Sequence, residues 1–93
     1  MRKQSLDLNQ MLLFTRVVDQ GSFTSAAEVL GVSKSYVSKK ISALEEELGV
    51  ELLRRTTRKL YLTEEGERFL EYARRAVETA EEGWRAVHNR GVE

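Results

Sequence analysis

The segment from Phe23 to Ile41, FTSAAEVLGVSKSYVSKKI, constrains the fold of this chain more than any other stretch. Ala26 and Ala27 place two small side chains together in a short helical pattern, which lets another helix approach closely. Gly31 follows and accommodates a tight turn, and Ser33 is a residue type that caps the start of a helix. The segment therefore predicts two helices that cross around a turn of about four residues.

Leu30, Val32, Val37 and Ile41 supply the apolar faces that hold these two helices together. Two helices joined by a short turn, with small residues at their crossing, are typical of a helix-turn-helix. An ordinary helical hairpin is the alternative, because alanine and glycine also occur at such positions in hairpins. The charges around the segment decide between the two.

A first helix is predicted upstream of this segment, capped by Asp7 or Asn9 and ending near Gln20. The third helix, capped by Ser33, ends at Gly49 and is the clearest element of the chain. Its apolar residues recur at spacings of four, three and four, as expected for a helix with one buried face. This face consists of Val37, Ile41, Leu44 and Leu48.

Between Val50 and Leu62 the pattern changes to that of two short strands joined by a loop. Thr63 and the three glutamates after it predict the capped start of a fourth helix, which runs to about His88. The predicted fold is mainly α: a winged helix-turn-helix, with a three-helix core and a short two-stranded wing, followed by a long dimerisation or linker helix. We expect residues 1–62 to form the winged domain and residues 63–93 to form the linker helix and a C-terminal hinge.

The net charge at pH 7 is zero, but the charges are unevenly distributed. Residues 33–62 carry seven basic and four acidic side chains, or +3, whereas residues 63–93 carry five and eight, or −3. In the third helix three lysines precede three glutamates, which is the reverse of the order that the helix dipole favours. Phosphates at the N-terminus of this helix would offset that cost, so the arrangement indicates a nucleic-acid partner.

The first half of the third helix also carries hydroxyl groups on turns that face away from its apolar side. Hydroxyls and lysines in such positions suit base edges or phosphates. The candidate DNA-binding residues of this recognition helix are Ser33, Lys34, Ser35, Tyr36, Ser38 and Lys39.

The predicted loop between the two strands holds four cations within six residues: Arg54, Arg55, Arg58 and Lys59. Considered alone, this run is equally well explained as a solvated charged loop. Directly after a helix-turn-helix it favours a wing, whose arginine enters a narrow minor groove where the potential is most negative. The two interpretations differ in what they predict for Arg58.

The fourth helix carries an apolar stripe that is too long for so small a body to cover. We expect this stripe to form a subunit interface, with local core packing as the alternative for its tryptophan. The predicted dimerisation residues are Phe69, Leu70, Ala73, Ala76, Val77, Ala80 and Trp84.

The composition of the chain argues against several classes of function. The chain has no cysteine, which excludes disulfides, thiolate metal sites and thiol catalysis. His88 is the only histidine and has no carboxylate or cysteine close to it in the pattern, so we predict neither a metal site nor a catalytic site. The chain is therefore expected to be a non-enzyme that needs no cofactor, and the lack of a signal peptide or an apolar span makes the cytoplasm the expected location.

From about Leu8 to His88 the chain resembles the N-terminal domain of LysR-type transcriptional regulators. The resemblance rests on a joint pattern: G-S-F, A-A, the S-x-x-x-V-S helix, L-E-x-x-L-G, L-x-R-T-x-R and L-T-x-x-G. It implies a homodimer, paired through the fourth helix, that binds a palindromic double-stranded DNA operator. It also implies groove contacts by Lys34, Ser35, Ser38 and Lys39, phosphate contacts by Ser22, Thr24 and Arg55, and a minor-groove contact by Arg58.

The chain departs from this family in three respects. Lys34-Ser35 stands where many members have a Gln-Pro or similar pair, and Lys39 stands where arginine is common, so base preferences do not transfer. Family members also continue into a C-terminal domain that binds a small-molecule effector, which predicts that this chain is an excised domain or a truncated relative. The competing interpretation is a helical dimerisation or adaptor module that binds only protein.

Overall fold

The computed structural model describes residues 7–88 and has the predicted order of elements. The helices are α1 (Leu8–Gln20), α2 (Phe23–Leu30), α3 (Lys34–Leu48) and α4 (Glu64–His88), and the strands are β1 (Leu53–Arg55) and β2 (Leu60–Leu62). The two strands form an antiparallel hairpin between α3 and α4, in which Leu53 pairs with Leu62 and Arg55 with Leu60. The prediction of a mainly α, winged helix-turn-helix fold is confirmed.

Side-chain caps start the helices where the sequence predicts them. Asp7, rather than Asn9, caps α1, and its carboxylate accepts a hydrogen bond from the Asn9 backbone at 2.9 Å. Ser22 and Ser33 cap α2 and α3 in the same way, each with an oxygen-to-nitrogen distance of 3.0 Å. Gly31 ends α2 with a φ of 72°, a left-handed conformation that favours glycine and turns the chain into α3.

One hydrophobic core lies between the four helices and the root of the hairpin. Phe14 and Val17 of α1, Ala26 of α2 and Val37 of α3 have no exposed surface. The buried alanine confirms the close crossing of α2 and α3 that the sequence predicts. Leu52 closes the core on the hairpin side and is 1% exposed.

The root of the hairpin is held by Glu45 of α3. Its carboxylate accepts hydrogen bonds from the backbone N–H groups of Leu52 and Leu53, at 2.8 and 3.0 Å. Thr63 completes the anchor, since its backbone N–H donates to the Leu52 carbonyl at 3.0 Å and its hydroxyl accepts from the Gly66 backbone at 2.9 Å. The hairpin is therefore fixed both to the end of α3 and to the start of α4.

Two ion pairs join α1 to α4. Arg16 lies 3.0 Å from Glu81, and Arg74 lies 2.7 Å from Asp19. The hydrogen bond that the Arg74 guanidinium donates to the Asp19 carboxylate raises the pKa of Arg74 above its ordinary value. None of the helices described in residues 7–88 is long and apolar enough to span a membrane.

Candidate nucleic-acid interface

The first turns of α3 present a polar face to solvent. Val37 points into the core, whereas Lys34, Ser35 and Lys39 are exposed and Ser38 is half-buried. Ser33 is exposed too, but its hydroxyl oxygen is engaged in capping α3. The helical spacing thus separates the core side from the predicted recognition side as the sequence indicates.

A shallow groove of about 260 Å³ lies between the N-terminus of α2, the start of α3 and the hairpin. We call it the basic groove. Among the described residues it is lined by four cations and no carboxylate, although the chain as a whole is neutral. Its lining consists of Gly21, Ser22, Phe23, Thr24, Lys34, Arg55, Thr56, Thr57, Arg58, Lys59 and Leu60.

Arg55 is held in place at this groove by an aromatic ring. The centre of its guanidinium lies 4.3 Å from the centroid of Phe23, which is only 5% exposed and belongs to the first turn of α2. This cation–π contact brings Arg55 to the helix start that also carries Ser22 and Thr24. The structure therefore brings together the three residues predicted to contact phosphates.

The hairpin turn is organised by Thr56, which the sequence analysis did not identify. Its backbone N–H donates to the Lys59 carbonyl at 2.8 Å. Its hydroxyl oxygen accepts from the backbone N–H groups of Arg58 and Lys59, at 3.2 and 3.0 Å. A threonine that bonds to its own turn takes the place of the glycine common in such loops, and its position within the basic run was the available signal.

The four cations of the loop do not behave alike. Arg54 pairs with Glu51 at 3.3 Å and does not line the basic groove, whereas Arg55, Arg58 and Lys59 do. The Arg58 side chain is exposed and its backbone is fixed by Thr56. The hairpin thus presents three cations on the same side as the start of α3.

Tyr36 differs from the other predicted recognition residues because it contacts α1. Its hydroxyl oxygen accepts a hydrogen bond from the Asn9 side-chain amide at 3.1 Å. Nearby, Lys40 lies 3.7 Å from the Asp7 carboxylate, and its ammonium group is 5.8 Å from the centroid of the Tyr36 ring. The Asn9–Tyr36 and Asp7–Lys40 contacts could not be found from sequence, because their partners lie 27 and 33 residues apart in the chain.

The residues predicted for dimerisation divide into two groups. Phe69 packs against Phe14 with ring centroids 5.8 Å apart, Leu70 also packs against the core, and Ala73 has no exposed surface. The core of this chain therefore covers Ala73 completely and Phe69 and Leu70 in part, while their role in dimerisation stays a prediction. The stripe is continuous in sequence, but the body of the domain covers its first part.

The second group lines an exposed groove between α1 and α4, which we call the apolar groove. Trp84 is 64% exposed there, with its indole stacked on His88 at a centroid distance of 4.3 Å. The groove is lined by Leu8, Asn9, Leu12, Ala76, Val77, Ala80, Glu81 and Trp84. Leu8 and Leu12 of α1 were not predicted, because their contribution depends on how α1 packs against α4.

Within residues 7–88 no group of acidic, histidine or cysteine side chains could hold a metal ion.

A helix-turn-helix with a cation-rich hairpin beside its second helix defines a winged-helix regulatory domain. Residues 8–67 match the sequence family described as bacterial regulatory helix-turn-helix proteins, lysR family. The chain belongs to this family and corresponds to the DNA-binding domain of its members. Because the family consists of transcriptional regulators, the prediction of a non-enzyme is confirmed.

Curated relatives share this domain but are much longer. An HTH-type transcriptional regulator of Xanthomonas campestris pv. campestris (strain 8004) is 48% identical over 81 residues, which are 87% of this chain and 24% of the relative. The regulator PtxR of Pseudomonas aeruginosa is 46% identical over 76 residues, 82% of this chain and 24% of its own length. The chain thus spans about a quarter of the length of these relatives.

Solved structures of similar domains include complexes with DNA. The BenM DNA-binding domain in complex with catB site 1 DNA superimposes with a TM-score of 0.84 at 32% identity, covering 95% of this chain and 99% of that one. The CbnR DNA-binding domain in its DNA complex superimposes with a TM-score of 0.78 at 37% identity, covering 94% of this chain and 98% of that one. Oxidized OxyR of Corynebacterium glutamicum superimposes with a TM-score of 0.89 at 30% identity, covering 98% of this chain and 28% of that one.

Proposed function

We propose that this chain binds double-stranded DNA sequence-specifically as a homodimer and supplies the operator-binding part of a transcriptional regulator. The observation that carries the proposal is the basic groove. A neutral chain concentrates Lys34, Arg55, Arg58 and Lys59 around the start of its recognition helix, with no carboxylate among the described lining residues. Such a local excess of cations suits a phosphate backbone.

In this proposal α3 enters the major groove with its N-terminal half. Lys34, Ser35, Ser38 and Lys39 lie on or beside its exposed face and contact base edges or nearby phosphates. The N–H groups at the start of α2 donate hydrogen bonds to a phosphate of the DNA backbone, assisted by Ser22, Thr24 and Arg55.

Arg58 is the minor-groove residue of the proposal. It lies within the hairpin turn and is exposed, so it can reach beyond the body of the domain. A-tracts narrow the minor groove and make its potential more negative, which favours an inserted arginine. Lys59 lines the basic groove of the protein, as Arg58 does, and adds to the attraction between this groove and the phosphates of DNA.

The dimer of the proposal forms through the apolar groove. Two copies related by a two-fold axis would cover Val77, Ala80 and Trp84 on each other and present two recognition helices to one duplex. Two-fold symmetry in the protein requires a palindromic or nearly palindromic site. DNA complexes of the related BenM and CbnR domains support the DNA part of this proposal by analogy.

The dependence of affinity on salt tests the proposal. Duplexes selected from a random pool would be titrated with the protein at several salt concentrations. We expect log affinity to fall linearly with log salt, with a slope of about 0.9 per phosphate neutralised, and the selected sites to contain two half-sites of fixed spacing. Failure to select any duplex, together with self-association that is insensitive to salt, would instead favour a protein-binding adaptor.

A further inference from the structure

The first turn of α1 lies between the two proposed interaction surfaces. Asn9 lines the apolar groove, and its side-chain amide also reaches α3 and donates a hydrogen bond to the Tyr36 hydroxyl at 3.1 Å. Asp7, two residues earlier, pairs with Lys40 on the next turn of α3. Asn9, which lies outside the recognition helix, thus contacts the Tyr36 side chain in the exposed first turn of that helix.

The direction of this hydrogen bond determines what the Tyr36 hydroxyl can still do. A phenolic oxygen has one proton to donate and can also accept. Because the oxygen accepts from Asn9, its own proton is left free to be donated elsewhere. Tyr36 is 39% exposed and belongs to the same turn as Lys34 and Ser35, so the free proton is available on the proposed DNA-binding side.

We propose that Asn9 is a positioning residue for DNA binding, which holds Tyr36 so that its hydroxyl proton is donated to a phosphate oxygen of the DNA backbone. The inference rests on the proposed function and adds to it a residue that does not itself contact DNA. Because the Asn9–Tyr36 bond is exposed, it contributes little to the stability of the fold. Its contribution is to orient a donor before the duplex arrives.

A double-mutant cycle tests this inference on the whole chain, with a selected duplex and fluorescence anisotropy as the readout. We expect Tyr36→Phe to weaken binding about ten- to a hundredfold, the range of a hydrogen bond to a charged phosphate, and Asn9→Ala to weaken it about three- to tenfold, the range of one neutral hydrogen bond. The double variant should lose no more than the larger single loss, because both changes remove the same contact. Both residues are neutral, so the slope of log affinity against log salt should stay the same.

Asn9→Asp provides a sharper variant because a carboxylate only accepts hydrogen bonds. Tyr36 would then donate its proton to residue 9 and lose it for the phosphate. We expect Asn9→Asp to weaken binding by a larger factor in the wild-type background than in the Tyr36→Phe background. The second background measures the effect of the added negative charge alone. Equal factors in the two backgrounds would overturn the inference.

Melting temperature and sedimentation separate positioning from damage to the fold or the dimer. We expect Asn9→Ala to melt like the wild type, and Tyr36→Phe, which lies outside the apolar groove, to melt and to self-associate like the wild type. A loss of affinity that follows weaker self-association, with Tyr36→Phe unaffected, would assign Asn9 to the apolar groove and overturn the inference. If the wild type binds the duplex and Asn9→Ala binds equally well, only this inference fails. If the wild type does not bind, the proposed function fails with it.

Discussion

At the scale of single residues, the hairpin shows how much one side chain depends on another for its position. Arg55 is held by the Phe23 ring, and Arg58 lies in a turn that the Thr56 hydroxyl closes. Arg55 is thus fixed along its length, whereas only the backbone of Arg58 is fixed. We therefore expect Arg55 to act as a rigid phosphate contact and Arg58 to adapt to the width of the groove that it enters.

Arg58→Ala is expected to weaken binding to duplexes with A·T-rich flanks by about 1 to 3 kcal/mol, and by less when the flanks are G·C-rich. The melting temperature should not change, since the side chain is exposed. Anisotropy titrations of two duplexes that differ only in their flanks measure the difference. Arg68→Ala removes an exposed cation of α4 that does not line the basic groove, and serves as the matched control. An equal loss on both flanks would contradict the minor-groove role.

The sequence predicted which residues of α3 face solvent, because helical periodicity alone separates Lys34, Ser35 and Lys39 from Val37 and Ile41. It did not predict which of the exposed residues have partners. The Asn9–Tyr36 and Arg55–Phe23 contacts join positions that are distant in sequence and depend on how whole elements pack. Such pairs follow no local periodicity, so the tertiary structure is needed to find them.

At the scale of elements, two glycines of α4 illustrate different reasons for the same residue type. A side chain at Gly66 would meet the Leu52 carbonyl oxygen and lie 3.0 Å from Cδ2 of Leu62. At Gly83 an added Cβ would meet nothing within 4 Å. Gly66 is required where α4 passes the root of the hairpin, whereas Gly83 has no such requirement in the described part of the chain.

We expect Gly66→Ala to lower the free energy of unfolding by about 1 to 3 kcal/mol, because the added methyl group forces the helix and the hairpin root apart. Gly83→Ala is the matched control, and should raise the free energy of unfolding by about 0.5 to 1 kcal/mol because alanine favours the helix. Chemical denaturation followed by circular dichroism measures both. Similar stabilities for the two variants would mean that Gly66 does not limit the packing of the hairpin root.

The elements themselves were largely predictable, because caps, glycines and apolar periodicity mark their ends in the sequence. Thr63 and Ser33 cap the helices that they were predicted to cap. The anchoring of the hairpin was not predictable, because the Glu45 carboxylate bonds to backbone groups seven and eight residues away. Sequence alone assigns Glu45 to the acidic half of α3, where it looks like its exposed neighbours Glu46 and Glu47.

At the scale of the whole molecule, α4 serves two surfaces in succession. Its first half completes the core through Phe69 and Ala73, and its second half extends along α1 to form the apolar groove. The sequence predicted the stripe but not where it changes role, since the same heptad spacing runs through both halves. The change depends on where the body of the domain ends, which only the fold defines.

The ion pairs Arg74–Asp19 and Arg16–Glu81 join α4 to α1, the first near the middle of α4 and the second in its second half. Glu81 lines the apolar groove, so the Arg16–Glu81 pair lies at the edge of that groove. Because both pairs are partly exposed, their contribution to stability is small and decreases with added salt. Their main effect is on geometry, and in the proposed dimer this geometry sets the spacing between the two recognition helices.

Trp84→Ala tests the proposed dimer most directly. Trp84 is 64% exposed in a single chain, so its removal should leave the stability of the isolated domain almost unchanged. In a dimer the same side chain would be buried, and losing an aromatic anchor of about 1.4 kcal/mol or more raises the dissociation constant at least about tenfold. Sedimentation across a range of concentrations measures this change. Val87→Ala is the control, because Val87 is 71% exposed on the same helix but does not line the apolar groove. If both variants self-associate like the wild type, the subunits pair through another surface, and the half-site spacing of selected duplexes must then be explained from that surface.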